Sequence, residues 1–142
     1  MNLLQDDVAS AEPLAVPRAA APVAARVCVF TLGRDRFAVP VTGVREIATV
    51  DHVTPVPGAT ACVLGAINLR GTLVSLVTIE ALFGLTRRRA RVTRAIVLAH
   101  PTVRVAIAVD DVVDMAAVDE IDPATMLDPS TLITRLKNQE ER

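Results

Sequence analysis

The sequence predicts a mainly β protein made of one or two small antiparallel barrels, and three observations support this fold class. Apolar residues make up 51% of the 142-residue chain but aromatic residues only 2%, so aliphatic side chains have to form the core. The β-branched residues Val and Ile suit a pleated sheet surface. Short apolar runs alternate with turn sequences, with little helical periodicity between them, which is typical of small barrels.

The N-terminal region, residues 1–25, differs in composition from the rest of the chain. It is rich in Ala and Pro, and Pro13, Pro17 and Pro22 interrupt every possible helix. This composition is typical of a semi-extended tail, and we expect the segment to be disordered. The folded domain is therefore expected to span residues 26–142, a length that suits one domain.

Membrane targeting or insertion is not expected. The opening residues carry early acids and neither a basic start nor a long apolar region, unlike a signal peptide. No apolar run approaches the roughly 20 residues that span a bilayer. We therefore expect a cytoplasmic protein without direct membrane insertion.

Hydrophobic runs of strand length mark the first strands. The runs RVCVFTL, 26–32, and FAVPV, 37–41, flank the turn sequence GRDR and predict a β-hairpin. The next run, VREIATV, breaks the alternation expected of a strand, because Val44 and Glu46 would share one face. After a rigid loop with two prolines, residues 59–64 are expected to form one helical turn.

The second half of the chain predicts further short strands. The run TLVSLV, 72–77, reads as a buried strand, and a brief helical turn is expected to end at Gly84. The runs 94–100 and 103–115 predict a second hairpin. The latter run is long enough to bend within itself.

A C-terminal helix is predicted over about 129–140. Asp128 is a suitable N-cap, and Pro129 fits the first helical position. Leu132, Ile133 and Leu136 fall on one side of such a helix. We therefore expect a short amphipathic helix that docks on the barrel.

Residues that could support catalysis or bind a metal are few and form no known pattern. His52 and His100 are the only histidines, and we expect solvated or capping roles for both. Cys28 and Cys62 lack a CxxC motif and are expected to be small buried hydrophobes. A nucleophilic pair of Cys62 with His52 stays open, because such groups meet in space. We predict no enzyme activity, no metal site and no cofactor.

The basic run RRRAR, residues 87–91, has Arg94 just beyond it. Arginines in this pattern could contact phosphates, so a small-barrel nucleic-acid-binding protein that uses Arg87 to Arg94 is the alternative function. The formal net charge is -1, however, and the chain has no Trp or Tyr to stack on bases. A solvated loop is the favoured interpretation, and no nucleic-acid partner is expected.

The stretch GAINLRGTLV, residues 65–74, places Asn68 and Arg70 within an otherwise apolar run. Arginine is seldom buried without a partner, so Arg70 is either paired inside the fold or offered to another molecule. Alternatively, NLRG is a turn that closes a hairpin, in which Asn and Gly supply unusual backbone angles. The residues alone leave these alternatives open.

Four blocks follow one another along the chain: VCVFTLGRDRFAVPVTGVREI, VTPVPGA, VLGAINLRGTLVSLV and LFGL. In this order and at these separations they resemble the CheW family of bacterial chemotaxis coupling proteins. The resemblance covers roughly residues 26–125, and GxINLRG is its most specific part. It implies two small five-stranded SH3-like β-barrels that share a core, with short helical turns, and it implies no enzyme activity.

The resemblance also implies a bacterial adaptor that links the cytoplasmic hairpin tip of a chemoreceptor to the regulatory domain of a CheA-like histidine kinase. Such an adaptor is recruited to receptor arrays at the inner membrane. The kinase-binding residues are not located by the resemblance. Ser75 and Thr78 stand where many members carry a proline and an aspartate. The positions that match the family's receptor-facing motifs are Val44, Glu46, Ile47, Gly65, Asn68, Leu69, Arg70 and Gly71.

One hypothesis about these positions concerns a salt bridge. We expect Glu46 and Arg70 to lie on neighbouring strands and to form an ion pair at the rim of the receptor-facing groove. The pair would hold Asn68 and the flanking glycine turns in place. A receptor helix could then pack on Val44 and Leu69.

Overall fold

Two sheets and a C-terminal helix make up the fold in this computed structural model, which describes residues 26–85 and 91–140. The predicted tail, 1–25, and the arginines at 87–89 lie outside the described residues. The elements are β1 Arg26–Leu32, β2 Asp35–Pro40, β3 Val44–Thr49, β4 Val63–Leu69, β5 Thr72–Val77, β6 Arg94–Leu98, β7 Val105–Val109, β8 Asp111–Ala117 and α1 Pro129–Glu140, with 3-10 turns at Val41–Gly43, Glu80–Phe83, Val118–Glu120 and Pro123–Thr125.

The five-stranded sheet, in the order β3-β6-β7-β5-β4, curls into a barrel. Its strand pairs are antiparallel except β5 with β7, which are parallel. Beyond β3 the chain returns to β4, where Thr54 and Ala66 exchange two backbone hydrogen bonds of 2.9 and 2.8 Å. This pair joins the segment after the edge strand β3 to the other edge strand, β4, so the strands enclose a core.

Alternation along β6 and β7 assigns their side chains to two separate cores. Ala95 and Val97 point into the barrel, whereas Ile96 and Leu98 point to its outside. Small residues recur inside the barrel, where the space between the curled strands is narrow. The barrel core consists of Ala48, Val50, Ile67, Val74, Leu76, Ala95, Val97, Ala106 and Ala108.

The three-stranded sheet, in the order β2-β1-β8, packs on the outside of β6 and β7. The predicted hairpin of β1 and β2 is confirmed, and β8 pairs with the other edge of β1. The core between the two sheets also receives the helix α1. It consists of Cys28, Phe30, Leu32, Val39, Val77, Ile79, Ile96, Leu98, Val105, Ile107, Val109, Leu127, Leu132, Ile133 and Leu136.

The helix α1 begins and docks as its sequence predicts. Asp128 Oδ2 accepts hydrogen bonds from the Thr131 N–H and hydroxyl, at 3.1 and 2.9 Å, and so caps the N-terminus. Arg135 donates to the Leu82 carbonyl, and its guanidinium carbon lies 5.1 Å from the centre of the Phe83 ring. The helix is therefore fixed by a polar and cation–π contact as well as by apolar packing.

Two segments of the chain, 59–64 and 103–115, form shorter elements than their sequences predict. The helical turn expected at 59–64 is reduced to one hydrogen-bonded turn, in which the Val63 N–H donates to the Thr60 carbonyl at 3.0 Å. It extends no further because β4 begins at Val63 and the Thr78 N–H donates to the Cys62 carbonyl at 2.8 Å. Pairing with β5 outweighs local preference there. The long run 103–115 divides at Asp110 into β7 and β8, which belong to different sheets.

The predicted fold class is confirmed: the chain is mainly β, with two sheets, short helical turns and a C-terminal helix. Over the described ranges, no helix combines the length and the apolar character that crossing a membrane requires.

We predict that docking of α1 contributes substantially to stability. Leu132 is 2% exposed and Leu73 on β5 is 67% exposed. Leu132→Ala should lower the free energy of unfolding by about 2–5 kcal/mol, because it removes buried methylenes and leaves a cavity. Leu73→Ala is the matched control and should change it by about 0.5 kcal/mol or less. Urea denaturation measures both, and equal effects would contradict the docking described here.

Candidate functional site

The turn between β4 and β5 has the geometry of a tight hairpin. Leu69 pairs with Thr72, and the two intervening residues, Arg70 and Gly71, have φ of 50° and 87°. Two positive φ angles define a type I′ turn. The Gly71 N–H donates to Asn68 Oδ1 at 2.8 Å. NLRG is thus a hairpin turn. Arg70, as well as Gly71, adopts a positive φ angle in it.

The Arg70 side chain leaves this turn and pairs with Glu46 on β3. The side chain of Arg70 is 75% exposed and that of Glu46 only 24%. The hydrogen bond from Arg70 to Glu46, and the charge of that carboxylate, raise the pKa of the guanidinium above its ordinary value. The ion pair expected from the sequence is therefore present, with Arg70 the outward-facing partner.

The elements that carry the pair differ from the expectation. β3 and β4 are not neighbours but lie at opposite ends of the strand order. The curl of the sheet, closed by Thr54 and Ala66, brings Glu46 to the turn after β4. The ion pair thus depends on closure of the barrel.

A β-bulge explains why the strand β3 breaks alternation. Val44 pairs with Leu98 and Glu46 with Val97, so Arg45 is the extra residue. Because of the bulge, Val44 and Ile47 pack against the core between the sheets, while Glu46 turns toward the barrel end. The break in alternation that is visible in the sequence is therefore this bulge, which directs the Glu46 carboxylate toward Arg70.

A depression of about 200 Å³ lies at this end of the barrel, beside the ion pair. Val74 and Val97, which belong to the barrel core, form part of its floor. We call it the barrel-end depression. Its lining consists of Arg45, Glu46, Leu69, Arg70, Thr72, Val74, Val97, Leu98, Val103 and Arg104.

The structure brings only some of the predicted receptor-binding residues together. Glu46, Leu69 and Arg70 line the barrel-end depression. Asn68 and Gly71 hold the turn that presents Arg70. The remaining three, Val44, Ile47 and Gly65, are not among the lining residues.

Gly65 lies where the barrel closes. It is buried with φ of 152°, and a Cβ atom built on it would lie 2.4 Å from the Thr54 carbonyl oxygen and 2.7 Å from Val53 Cγ1. Glycine therefore allows the chain after β3 to approach β4 closely enough to pair. This geometry assigns Gly65 a direct part in closing the barrel.

Sequence reasoning missed one wall of the depression, the loop between β6 and β7. His100 Nδ1 accepts hydrogen bonds from the Thr102 and Val103 N–H groups, at 3.1 and 3.0 Å. A guanidinium nitrogen of Arg45 lies 3.5 Å from the His100 carbonyl oxygen, at the limit of a hydrogen bond. The capping role expected of His100 is thus present. The cap holds the backbone of Val103, which precedes Arg104.

The other candidates for chemistry lie away from this depression. His52 is exposed, and Cys62 Sγ lies 3.4 Å from the Thr60 hydroxyl oxygen. Cys28 is buried, as expected, and burial raises the pKa of its thiol. Within 26–85 and 91–140, no three His, Cys, Asp or Glu residues are grouped so as to hold a metal ion.

Comparison with known proteins now supplies the family. A family model described as the CheW-like domain matches residues 26–138, which is most of the chain. The chain belongs to the CheW-like domain family.

Several curated relatives carry the name chemotaxis protein CheW. That of Rhizobium meliloti is 37% identical over 94 residues, which is 66% of this chain and 61% of the relative. That of Helicobacter pylori is 27% identical over 118 residues, covering 80% of this chain and 72% of the relative. The matched region thus spans only about three fifths of the Rhizobium meliloti protein.

A solved structure supports the fold. The scaffolding protein TtCheW of Thermoanaerobacter tengcongensis superposes with a TM-score of 0.61 at 23% identity, covering 72% of this chain and 66% of that chain. The likeness at this identity concerns the fold alone. It is consistent with the expectation of two SH3-like barrels. Five strands were expected in each, and the described residues form one five-stranded sheet and one three-stranded sheet.

The two departures from the CheW pattern lie on β5 and just after it. Ser75 is exposed and pairs through its backbone with Val105 of β7. Thr78 is buried, and its N–H donates to the Cys62 carbonyl. A proline at position 75 would lack the N–H that here donates to the Arg104 carbonyl at 3.1 Å. Serine therefore keeps one backbone contact between β5 and the loop that precedes β7.

We predict that Gly65 is required for barrel closure. Gly65→Ala should destabilise the fold by about 1–3 kcal/mol more than Gly58→Ala, because the added Cβ meets the Thr54 carbonyl. Gly58 is the matched control, since it also has positive φ but nothing lies within 4 Å of an added Cβ. Thermal unfolding measures both. Equal losses of stability in the two variants would contradict this prediction. They would mean that glycine is required at position 65 for its positive φ and not for the close approach of Thr54.

We also predict that the His100 cap can be replaced by asparagine. His100→Ala removes the acceptor for two N–H groups and should cost about 1 kcal/mol of stability. His100→Asn keeps an acceptor oxygen close to the position of Nδ1 and should restore most of the loss.

Chemical denaturation of the wild type and both variants measures these differences. Equal losses of stability in the alanine and asparagine variants would contradict the capping role of His100.

Proposed function

We propose that this chain is a non-enzymatic adaptor that couples the cytoplasmic hairpin of a chemoreceptor to the regulatory domain of a CheA-like histidine kinase. Family membership supports the proposal, because curated relatives are named chemotaxis protein CheW and the solved relative is a scaffolding protein. Such an adaptor works on the cytoplasmic side of the inner membrane, at receptor arrays.

The observation that supports the proposal most directly is the Glu46–Arg70 pair at the barrel-end depression. The depression combines an apolar floor with exposed guanidinium groups. These groups suit packing and ion pairing with the side chains of a protein partner. In this proposal Leu69 and the floor supply apolar contact, and Arg70 orients the receptor hairpin.

The remaining predicted receptor-binding residues act indirectly in this proposal. Asn68 and Gly71 hold the turn, and Gly65 holds the barrel closed. Val44 and Ile47 support β3 from the core between the sheets. The surface is small, so we expect individual affinities of about micromolar, with array avidity supplying the rest.

The nucleic-acid alternative finds no support in the comparisons, which return CheW proteins. Part of the basic run lies outside the described residues. Of the arginines that the structure describes, Arg91 donates to the Asp51 carbonyl at 3.4 Å and Arg94 begins β6. We therefore keep one proposed function.

Two titrations test the proposal, one against the kinase regulatory domain and one against the receptor hairpin from the same gene neighbourhood. Arg70→Asn is the informative variant, because asparagine favours positive φ and so preserves the turn while removing the guanidinium. We expect wild type to bind both partners. Arg70→Asn should weaken receptor binding by roughly tenfold and leave kinase binding unchanged.

Arg70→Ala serves as the control for turn geometry, since it loses the guanidinium and fits positive φ less well. Equal receptor affinities of the two variants, both below wild type, would assign the loss to the guanidinium. Failure of the wild-type chain to bind either partner would overturn the adaptor proposal.

A further inference from the structure

A depression of about 240 Å³ lies where α1 meets the outer face of β5 and β7. We call it the helix-side depression. Ser75 and Val77 of β5 line it, whereas the barrel-end depression lies on the opposite face of that strand. The floor of the helix-side depression is aliphatic and belongs to the core between the sheets; it consists of Val77, Val105, Ile133 and Leu136.

Three polar side chains surround this floor, and each comes from a different part of the fold. Ser75 on β5 and Arg104 in the loop before β7 are adjacent, because the Ser75 N–H donates to the Arg104 carbonyl at 3.1 Å. Lys137 on α1 lies one helical turn beyond Ile133, so these two residues share one side of the helix. The rim of the depression therefore carries a hydroxyl, a guanidinium and an ammonium group.

The three polar side chains have no partner within the part of the chain that the structure describes. Ser75, Arg104 and Lys137 form no side-chain hydrogen bond and no ion pair there, and no Asp or Glu lines the depression. The barrel-end depression differs, since Glu46 neutralises Arg70 at its rim. Two uncompensated cations and a hydroxyl beside an aliphatic floor favour a ligand with an anionic head and an apolar body.

The size and the backbone of the depression narrow the class of ligand. Pockets for drug-sized molecules measure roughly 300–1,000 Å³, so this depression suits a smaller molecule. β5 is hydrogen-bonded to β4 on one side and to β7 on the other, which leaves no strand edge for an extended peptide. The lining has no aromatic side chain to stack on a ring. The planar fork of an arginine matches a carboxylate, so an aliphatic carboxylate satisfies each of these conditions.

We propose that the helix-side depression binds an aliphatic carboxylate of the size of a medium-chain fatty acid. The aliphatic chain lies on the floor, and Arg104, Lys137 and the Ser75 hydroxyl hold the carboxylate at the rim. Serine at position 75, one of the two departures from the CheW pattern, thus supplies a hydroxyl that proline lacks. The site is separate from the Glu46–Arg70 pair and does not depend on the adaptor proposal.

Titration of the full chain with octanoate tests the proposal. Octanoate should bind with a dissociation constant on the order of 0.1–1 mM, as expected for so small a ligand. Octanol, which has the chain without the charge, and acetate, which has the charge without the chain, should each bind at least about tenfold more weakly. Because bound octanoate contacts both the barrel and α1, it should also raise the melting temperature.

Three substitutions remove the polar groups one at a time. Arg104→Gln and Lys137→Gln should each weaken octanoate binding about three- to tenfold, because each removes a charge beside the carboxylate. Ser75→Ala should weaken it about two- to fivefold through loss of one hydrogen bond, while the backbone contact to Arg104 stays. Arg34→Gln is the matched control, since Arg34 is exposed in the β1–β2 turn and does not line the depression. Thermal melting without octanoate verifies that all four variants fold.

Methyl chemical shifts of the isotope-labelled protein locate the bound octanoate. Shifts confined to Val77, Val105, Ile133 and Leu136 would support the site, whereas shifts spread over the exposed apolar residues would show non-specific binding and overturn it. Equal affinities for octanol and octanoate, or wild-type affinity in both Arg104→Gln and Lys137→Gln, would also overturn it. Displacement of octanoate by an equal concentration of inorganic phosphate would reduce the site to a general anion site and contradict recognition of the chain.

Discussion

The backbone pair between Thr54 and Ala66 is the contact on which the rest of the site depends. It joins the segment after β3 to β4, the other edge strand of the five-stranded sheet, and the absence of a Cβ atom on Gly65 allows this close approach. Closure brings Glu46 on one edge strand next to Arg70 beyond the other. A charged surface feature is thus positioned by an uncharged backbone contact some distance away.

Much of the fold could be predicted from the sequence because the strands are short and bounded by turn residues. The first hairpin and the capped C-terminal helix follow from local signals, such as GRDR and Asp128. At 59–64 the local sequence predicted a helical turn, but only one hydrogen-bonded turn forms, because hydrogen bonds to residues distant in sequence determine the conformation from Cys62 onward. The parallel pairing of β5 with β7 likewise has no local signature, since it depends on which strands the closed sheet brings together.

Prediction of the site succeeded for the residues in the motif and failed for those contributed from elsewhere. The Glu46–Arg70 pair was expected, but the positive φ of Arg70 was not, because Asn or Gly is the usual residue there. His100 and Arg104 come from a loop whose sequence carries no binding motif. Only the fold shows that this loop adjoins the NLRG turn.

The division of the long C-terminal run into β7 and β8 has a consequence for the order in which the chain folds during synthesis. The closed barrel uses strands from β3 to β7, so it is complete once β7 has left the ribosome. β1 and β2 emerge first, but β1 receives its second neighbour only when β8 appears. The apolar face of the earliest hairpin therefore stays partly uncovered until the last strand and α1 arrive. The strands that are synthesised first, β1 and β2, are thus the last to be completed as a sheet. Their exposed apolar face is where a nascent CheW-like domain is most prone to misassociation.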